Sequence, residues 1–304
     1  MPKGENVKFR RILSSSFSSM DSQITAVKQH CSTIKATITD EKHFEFVETF
    51  CPPLEDSYAQ MWLKTSPEQL AFLKELLMRM RQEPKPDQEM VLWNHLSSEL
   101  AARRANPLDD ICSRLMADCP HHKNHDADLL VLLSTALSSS AQQITTHLLT
   151  HCVLAISQDL ELQAQLARES FEGIRCFAKE VARWEPITQV IPRVATRNTC
   201  LADVQLKPGQ KVLLVLTSIC RDESHHPRAD SINRFRPEPS LAFGRGSHSC
   251  VGETLALNFT TTILEEIIKD CVVVGNGSPP EFSVDFGRTC RRLMVTLKKR
   301  KSMA

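Results

Sequence analysis

Residues 241–252 read LAFGRGSHSCVG, a glycine-rich loop that leads to one cysteine and then to another glycine. The residues that follow are predicted to form a helix over 252–269, which places Cys250 beside a helix N-terminus. Unpaired backbone N–H groups and the helix dipole favour negative charge there, so the stretch predicts a thiolate ligand. Its three glycines let the backbone pass close to a flat group.

This stretch resembles the heme-binding loop of the cytochrome P-450 family, whose pattern is Phe-Gly-x-Gly-x-His-x-Cys-x-Gly, and every defining position matches. The resemblance implies that the sulfur of Cys250 is the axial ligand of the iron in heme b. It also implies further cofactor-binding residues in the same loop: Phe243, Gly244, Arg245, His248 and Gly252.

Two other motifs agree with this resemblance. Residues 180–183, EVAR, resemble the family's Glu-x-x-Arg, in which two side chains at i and i+3 share one helix face and form a charge-assisted pair. In the family a third basic residue joins the pair and holds the core, and Arg234 in NRFRP is the residue expected here. Arg193 in PRVAT resembles the arginine that binds a heme propionate.

Residues 5–11, ENVKFRR, resemble the family helix that holds a propionate through His-x-x-x-Arg. Arg10 matches, whereas Asn6 replaces the histidine, and an ordinary surface charge at Arg10 stays open as an alternative. The resemblance covers nearly the whole chain. It implies an N-terminally truncated fold, without the family's first helix and two sheet strands, which a truncated gene or a second chain would explain.

The longest predicted helix runs from near Asp126 to about Ser157, with a polar middle at 138–143. The family places an acid and an alcohol there, over the iron. In this sequence Ala141 takes the position of the acid and Gln142 that of the alcohol. Ser138 and Ser139 lie beside them in the expected distal pocket. Neither Ala141 nor Gln142 can act as a general acid, so oxygen activation by the usual relay would be impaired. A register slip of one turn would leave a serine to relay protons.

The remaining pattern predicts one domain over 1–304, mainly α with small β-sheets. Helical spacing of apolar residues predicts additional helices over 70–81, 89–104, 109–117 and 170–184. Residues rich in Val, Ile, Leu and Thr predict short strands within 187–220, including Lys211 to Leu216, and another strand from Arg291 to Lys298.

Composition excludes several functional classes. A net charge of +1 does not favour a nucleic-acid partner. The sequence contains no secretory signal and no apolar run long enough for a membrane span, which predicts a soluble, cytoplasmic protein. The 11 scattered cysteines favour thiols over disulfides. The histidines at 121, 122 and 125 beside Cys119 lack a clear metal-ligand spacing.

The resemblance implies a monooxygenase that oxidises a small organic substrate with O₂. Electrons would come from a ferredoxin or a flavoprotein that docks on the basic surface near Arg245 and Cys250. Two alternatives stay open. The atypical central helix is also consistent with a peroxide-using enzyme or a rearrangement catalyst, and the missing N-terminal portion with a non-catalytic homologue.

Overall fold

The computed structural model describes residues 21–38, 43–83, 85–118, 129–130, 133–134, 144–237, 239–284 and 288–300. Helices dominate this part of the chain, so the predicted class, mainly α with small β-sheets, is confirmed. The helices are α1 (Asp21–Ile38), α2 (Phe46–Trp62), α3 (Pro67–Gln82), α4 (Pro86–Ala105), α5 (Ile111–Asp118), α6 (Ile144–Gln158), α7 (Leu160–Leu166), α8 (Phe171–Trp184), α9 (Leu216–Cys220) and α10 (Glu253–Ile268). The strands are β1 (Phe44–Glu45), β2 (Val190–Val194), β3 (Thr199–Leu201), β4 (Val204–Leu206), β5 (Lys211–Val215), β6 (Cys271–Gly275), β7 (Glu281–Val284), β8 (Arg288–Arg292) and β9 (Met294–Lys299).

Local sequence explains where several helices begin. Ser170 is the N-cap of α8, and its hydroxyl accepts a hydrogen bond from the backbone N–H of Gly173 at 3.3 Å. Ser66 and Gln69 form a capping box at α3. Each cap satisfies backbone donors that the first helical turn leaves unpaired, which is worth about 1 kcal/mol.

Helix α10 lies at the centre of the core and packs against α1, α6 and α8. Its apolar face is buried, with Leu255, Phe259, Ile263 and Ile267 all inside. Complete burial of side chains of this size stabilises the fold by about 1.5–3 kcal/mol each. Helix α10 is therefore a rigid base for the loop that precedes it.

The small sheets are antiparallel. Strands β1, β9 and β6 form one sheet in that order, while β7 and β8 form a hairpin. The side chain of Gln163 in α7 accepts from the N–H of Val273 at 2.7 Å and donates to its carbonyl at 2.9 Å. This pair of bonds fixes α7 against β6.

Strands β2 and β5 pair from Val190 opposite Val215 to Val194 opposite Lys211. Strands β3 and β4 continue the same register, with Thr199 opposite Leu206. The two pairs therefore form one long interrupted ribbon, and its far end is exposed on both faces.

Apart from the long central helix, the predicted helices are present, with ends that differ by up to three residues. Two strand predictions are wrong in detail. Leu216 begins α9 and does not belong to β5. The strand predicted from Arg291 to Lys298 is two strands separated at Leu293, because the Leu293 backbone bonds to Glu45 Oε1 at 2.7 Å and to the Phe46 N–H at 2.8 Å.

Helix α2 is not among the predicted helices, because it contains Pro52 and Pro53. Proline removes a helical hydrogen bond and normally ends a helix. Tertiary packing overrides that preference: the rings of Phe46 and Phe50 stack with centroids 4.9 Å apart, and both are fully buried.

The long central helix is described from Ile144 to Gln158, one residue past its predicted end. Its polar middle, at 138–143, lies outside the described residues.

Candidate active site

The loop before α10 folds back on itself through short backbone bonds. The N–H of Gly244 donates to the carbonyl of Leu241 at 2.8 Å, and the N–H of Cys250 donates to the carbonyl of Phe243 at 2.6 Å. Gly244 and Gly246 have φ angles of +70° and +81°, a backbone conformation that residues with a Cβ rarely adopt. The glycines of the motif are therefore required by the shape of the loop.

Cys250 is half-buried at the end of this loop, three residues before α10. Gly252 is the N-cap of α10, and its carbonyl accepts the first helical bond, from Ala256 at 2.8 Å. A Cβ at position 252 would contact the Cys250 sulfur at 3.9 Å, so glycine leaves that side of the sulfur open. The helix dipole at this end favours a thiolate.

Most other cysteines are unsuited to this role, because they are buried. Burial raises the pKa of seven thiols, to about 12 at Cys31 and Cys112 and about 11 at Cys290. The other four are Cys51, Cys152, Cys220 and Cys271. A thiol with a raised pKa stays protonated at neutral pH and is a poor metal ligand.

The Glu180–Arg183 pair lies on the buried face of α8. Glu180 Oε2 accepts from Arg183 Nε at 2.9 Å, and Glu180 Oε1 accepts from Arg183 Nη2 at 2.8 Å. Arg183 is only 1% exposed and also donates to the carbonyls of Cys220 (2.7 Å) and Ser231 (3.1 Å). The pair thus connects α8 to α9 and to the loop that leads towards the cysteine.

Arg236, rather than the predicted Arg234, is the third member of this cluster. Arg236 Nε donates to Glu180 Oε1 at 3.1 Å, whereas Arg234 donates to Glu169 at 2.6 Å and to Gln165 at 3.1 Å. The chain turns between Asn233 and Arg236, which returns the later arginine to Glu180. The expectation for Arg234 is therefore wrong, and the signal missed was this turn.

The predicted propionate-binding residues lie on two elements. Arg245 and His248 are exposed on the Cys250 loop, and Phe243 is half-buried against the core. Arg193 is exposed on β2, where it donates to the carbonyl of Pro192 at 3.0 Å. Arg10 lies outside the described residues, and so do Ser138, Ser139, Ala141 and Gln142 of the predicted distal pocket.

A second buried polar cluster has no counterpart in the sequence motifs. His151 of α6 is 1% exposed, and among the described residues neither ring nitrogen has a hydrogen-bond partner of normal geometry. The backbone of Glu185 lies near the ring and only partly opposes the lowering of its pKa. Burial and the nearby Arg288 cation lower the pKa of His151 to about 4. Arg288 donates to Glu185 at 2.8 Å, and burial raises the pKa of that carboxyl. These residues come from three distant segments, so no local pattern marks them.

The described part of the chain contains neither a metal-binding cluster nor a membrane-spanning helix. Within the described ranges, no three His, Cys, Asp or Glu side chains are grouped to hold a metal ion. The candidate histidines at 121–125 lie outside these ranges. In the same part of the chain, every helix is too short or too polar to cross a bilayer.

Comparison with known proteins identifies the family. The cytochrome P-450 family model matches residues 142–292, which include the Glu180 cluster and the whole Cys250 loop. The erythromycin C-12 hydroxylase of Saccharopolyspora erythraea is 31% identical over 183 residues, 58% of this chain and 45% of that protein. The mycinamicin IV hydroxylase/epoxidase of Micromonospora griseorubida is 29% identical over 190 residues, 62% of this chain and 48% of that protein.

Solved structures share the fold. CYP108D1 from Novosphingobium aromaticivorans superposes with a TM-score of 0.86 at 19% identity, over 99% of this chain and 75% of that one. CYP109E1 from Bacillus megaterium, solved with testosterone, gives 0.82 at 20% identity, over 95% and 83%. By sequence, the aligned segments span only 39–51% of the curated relatives' lengths.

Heme b is the prosthetic group of this family, and the residues present fit it. The loop offers a soft sulfur donor at a helix N-terminus, with glycine where a Cβ would contact that sulfur. Exposed Arg245 and His248 both precede Cys250 in the same loop. The family-model match, the relatives and the shared fold together establish that the chain belongs to the cytochrome P-450 superfamily.

Proposed function

We propose that the chain carries the heme-thiolate centre of a monooxygenase, with the sulfur of Cys250 as the axial ligand. One observation carries the proposal. Cys250 is half-buried at the N-terminus of α10, at the end of a loop held by the 2.6 Å bond between its own N–H and the Phe243 carbonyl. Such a position favours a thiolate over a thiol.

When bound through a thiolate, heme b supplies the oxidising chemistry that no side chain can provide. The chain's own residues would place and neutralise it. Gly244 and Gly246 keep the loop in its left-handed turn, and Phe243 offers a ring for packing. Arg193, Arg245, His248 and Arg10 would supply positive charge for the propionates.

The proposed reaction is oxidation of a small organic substrate with O₂ and two electrons. The names of the relatives support this class: one acts as an erythromycin C-12 hydroxylase, another as a steroid C26-monooxygenase. Electrons would arrive from a ferredoxin or flavoprotein. The basic surface near Arg245 and Cys250 would receive an acidic docking surface on that donor.

The proposal is tested by spectroscopy on the full chain expressed with ample heme. After reduction and addition of carbon monoxide, a thiolate-ligated heme gives a red-shifted Soret band. We expect this band in the wild type and its loss in Cys250→Ser. Cys200→Ser, which alters an exposed cysteine on the ribbon, is the matched control and should keep it. A chain that takes up no heme would contradict the proposal and leave a non-catalytic homologue.

A peroxide-dependent reaction or a rearrangement is the second candidate. It is favoured by Ala141 and Gln142, which occupy the aligned positions of the acid and the alcohol and cannot donate protons as a general acid. Turnover supported by a reductase and O₂ would favour the monooxygenase. Turnover with hydrogen peroxide alone would favour the second candidate.

A further inference from the structure

A groove of about 640 Å³ lies away from the Cys250 loop, between the C-terminal end of α6, α7, the end of α8 and residues 230–235. We call it the α7 groove. Its walls include Leu162, Trp184, Ile232 and Phe235. The proposed function does not use it.

The apolar part of the α7 groove is exposed and yet held in place. Phe235 is 74% exposed, the largest value among the exposed large hydrophobic side chains of the described residues. The guanidinium of Arg234 lies over its ring, 4.4 Å from the centroid, which fixes the ring by a cation–π contact. A fixed, exposed aromatic ring can bind a partner at a small cost in side-chain entropy.

The polar part of the α7 groove is negative. Asp159, Glu161 and Asp230 line it, and Arg234 is the one cation among its described lining residues. That cation is already neutralised by Glu169, 2.6 Å away. Asp230 is likewise paired, with Arg221 at 3.1 Å, and Asp159 caps the first turn of α7. The negative charge that no ion pair among the described residues offsets is therefore that of Asp159 and Glu161, and it attracts positive charge and repels anions.

The arginine that lies over the Phe235 ring is itself held in place. Both terminal nitrogens of Arg234 are engaged by Gln165 and Glu169, and its Nε is buried, with no partner among the described residues. The Arg234 side chain is only 10% exposed and lines the groove. Because that N–H is closed to solvent, Arg234 offers a bound chain no hydrogen bond there, and its part in the groove is to hold the Phe235 ring.

We propose that the α7 groove binds a segment of a partner protein that carries lysine or arginine side chains around an apolar one. The apolar side chain contacts Phe235, and the cations approach Asp159 and Glu161. The charge complementarity selects this occupant over an acidic one.

The probe is a blocked, fluorescein-labelled peptide of alternating lysine and leucine, and fluorescence anisotropy measures its binding to the full chain. We expect binding that weakens as salt rises. Glu161→Gln with Phe235→Ser should weaken it about tenfold, because both the charge and the aromatic anchor are lost. The matched control, Glu89→Gln with Val204→Ser, removes one exposed carboxylate and one exposed apolar residue elsewhere and should leave binding unchanged.

A second measurement does not depend on the variants folding. Hydrogen–deuterium exchange of the wild type should show peptide-induced protection at residues 230–235 and in α7. Equal binding of a peptide with glutamate in place of lysine would overturn the proposal, as would equal loss in the two double variants or protection elsewhere only. A dimer that Phe235→Ser dissociates would identify a second copy as the occupant and also overturn it.

Discussion

Two buried glutamates five residues apart have opposite surroundings. Glu180 accepts four hydrogen bonds: two from Arg183, one from Arg236 and one from the N–H of Asn233. Glu185 faces Arg288 at 2.8 Å and Arg221 at 3.6 Å, close to His151, whose ring nitrogens have no partner of normal geometry in the described part of the chain. The hydrogen bonds of the first cluster offset the free-energy cost of burying its charges, whereas those of the second cluster offset only part of it.

Removal of Glu180 should produce the largest effect. In Glu180→Ala, the guanidiniums of Arg183 and Arg236 remain buried without a carboxylate, which should cost about 3–5 kcal/mol of unfolding free energy. Urea unfolding measures it. Glu172→Ala on the same helix removes the exposed partner of Arg175 and should cost less than about 1 kcal/mol. Similar losses in both variants would contradict the contrast between a buried and an exposed pair.

Replacement of the two arginines in the 233–237 loop should give the next largest effects, and the two variants should differ in unfolding free energy. Arg236→Met removes one of four donors to Glu180 and should cost about 2 kcal/mol. Arg234→Met should cost less, because its partner Glu169 is 30% exposed and can be hydrated. Paired urea titrations would show the order. A larger loss of unfolding free energy in Arg234→Met than in Arg236→Met would contradict the conclusion that Arg236 is the arginine that stabilises the Glu180 cluster.

This pair of arginines marks the limit of what the sequence predicts. The Cys250 loop and the Glu180–Arg183 pair depend on spacings within one segment, and local spacing fixes local geometry. The choice between Arg234 and Arg236 depends on a turn whose partner lies more than fifty residues earlier. Helix α2 persists through Pro52 and Pro53 because Phe46 and Phe50 are buried in the core.

The second cluster was beyond sequence reasoning for the same cause. His151, Glu185 and Arg288 meet only after α6, α8 and the β7–β8 hairpin pack together. A histidine in an apolar helix carries no pattern that predicts whether its ring nitrogens will find hydrogen-bond partners. Composition and periodicity report which side chains are buried, but they do not report whether a buried polar atom is satisfied.

His151→Phe should stabilise the protein. The variant removes two unsatisfied buried nitrogens and adds a ring near Phe282, whose centroid lies 6.1 Å from the histidine ring, for a gain of about 1 kcal/mol at pH 7. The pKa of His151 is about 4 in the folded protein and about 6.5 in the unfolded chain. At pH values between these two, His151 therefore binds a proton in the unfolded chain but not in the folded protein.

The wild type should therefore lose stability as the pH falls from about 6.5 towards 4, by about 2 kcal/mol between pH 7 and pH 5 from this group alone. Thermal unfolding across that range measures the loss, and His151→Phe should remove this part of it. Thr150→Val, an adjacent buried polar residue that does not titrate, is the control. Parallel pH profiles for wild type and His151→Phe would mean that His151 is hydrated or paired in solution.

Glu185→Gln should have the smallest effect, less than about 1 kcal/mol at pH 7, because the lost attraction to Arg288 is offset by the removal of a buried charge. Its pH dependence has the opposite sign to that of His151. Burial raises the folded pKa of Glu185, so its contribution to stability is present at low pH and is lost as the pH rises through that value. Urea unfolding should thus show that Glu185→Gln is more stable relative to the wild type at pH 7 than at pH 4.5. A gain at the lower pH would mean that Arg288 and Arg221 outweigh burial, and that the two glutamates differ in geometry but not in how well their charge is compensated.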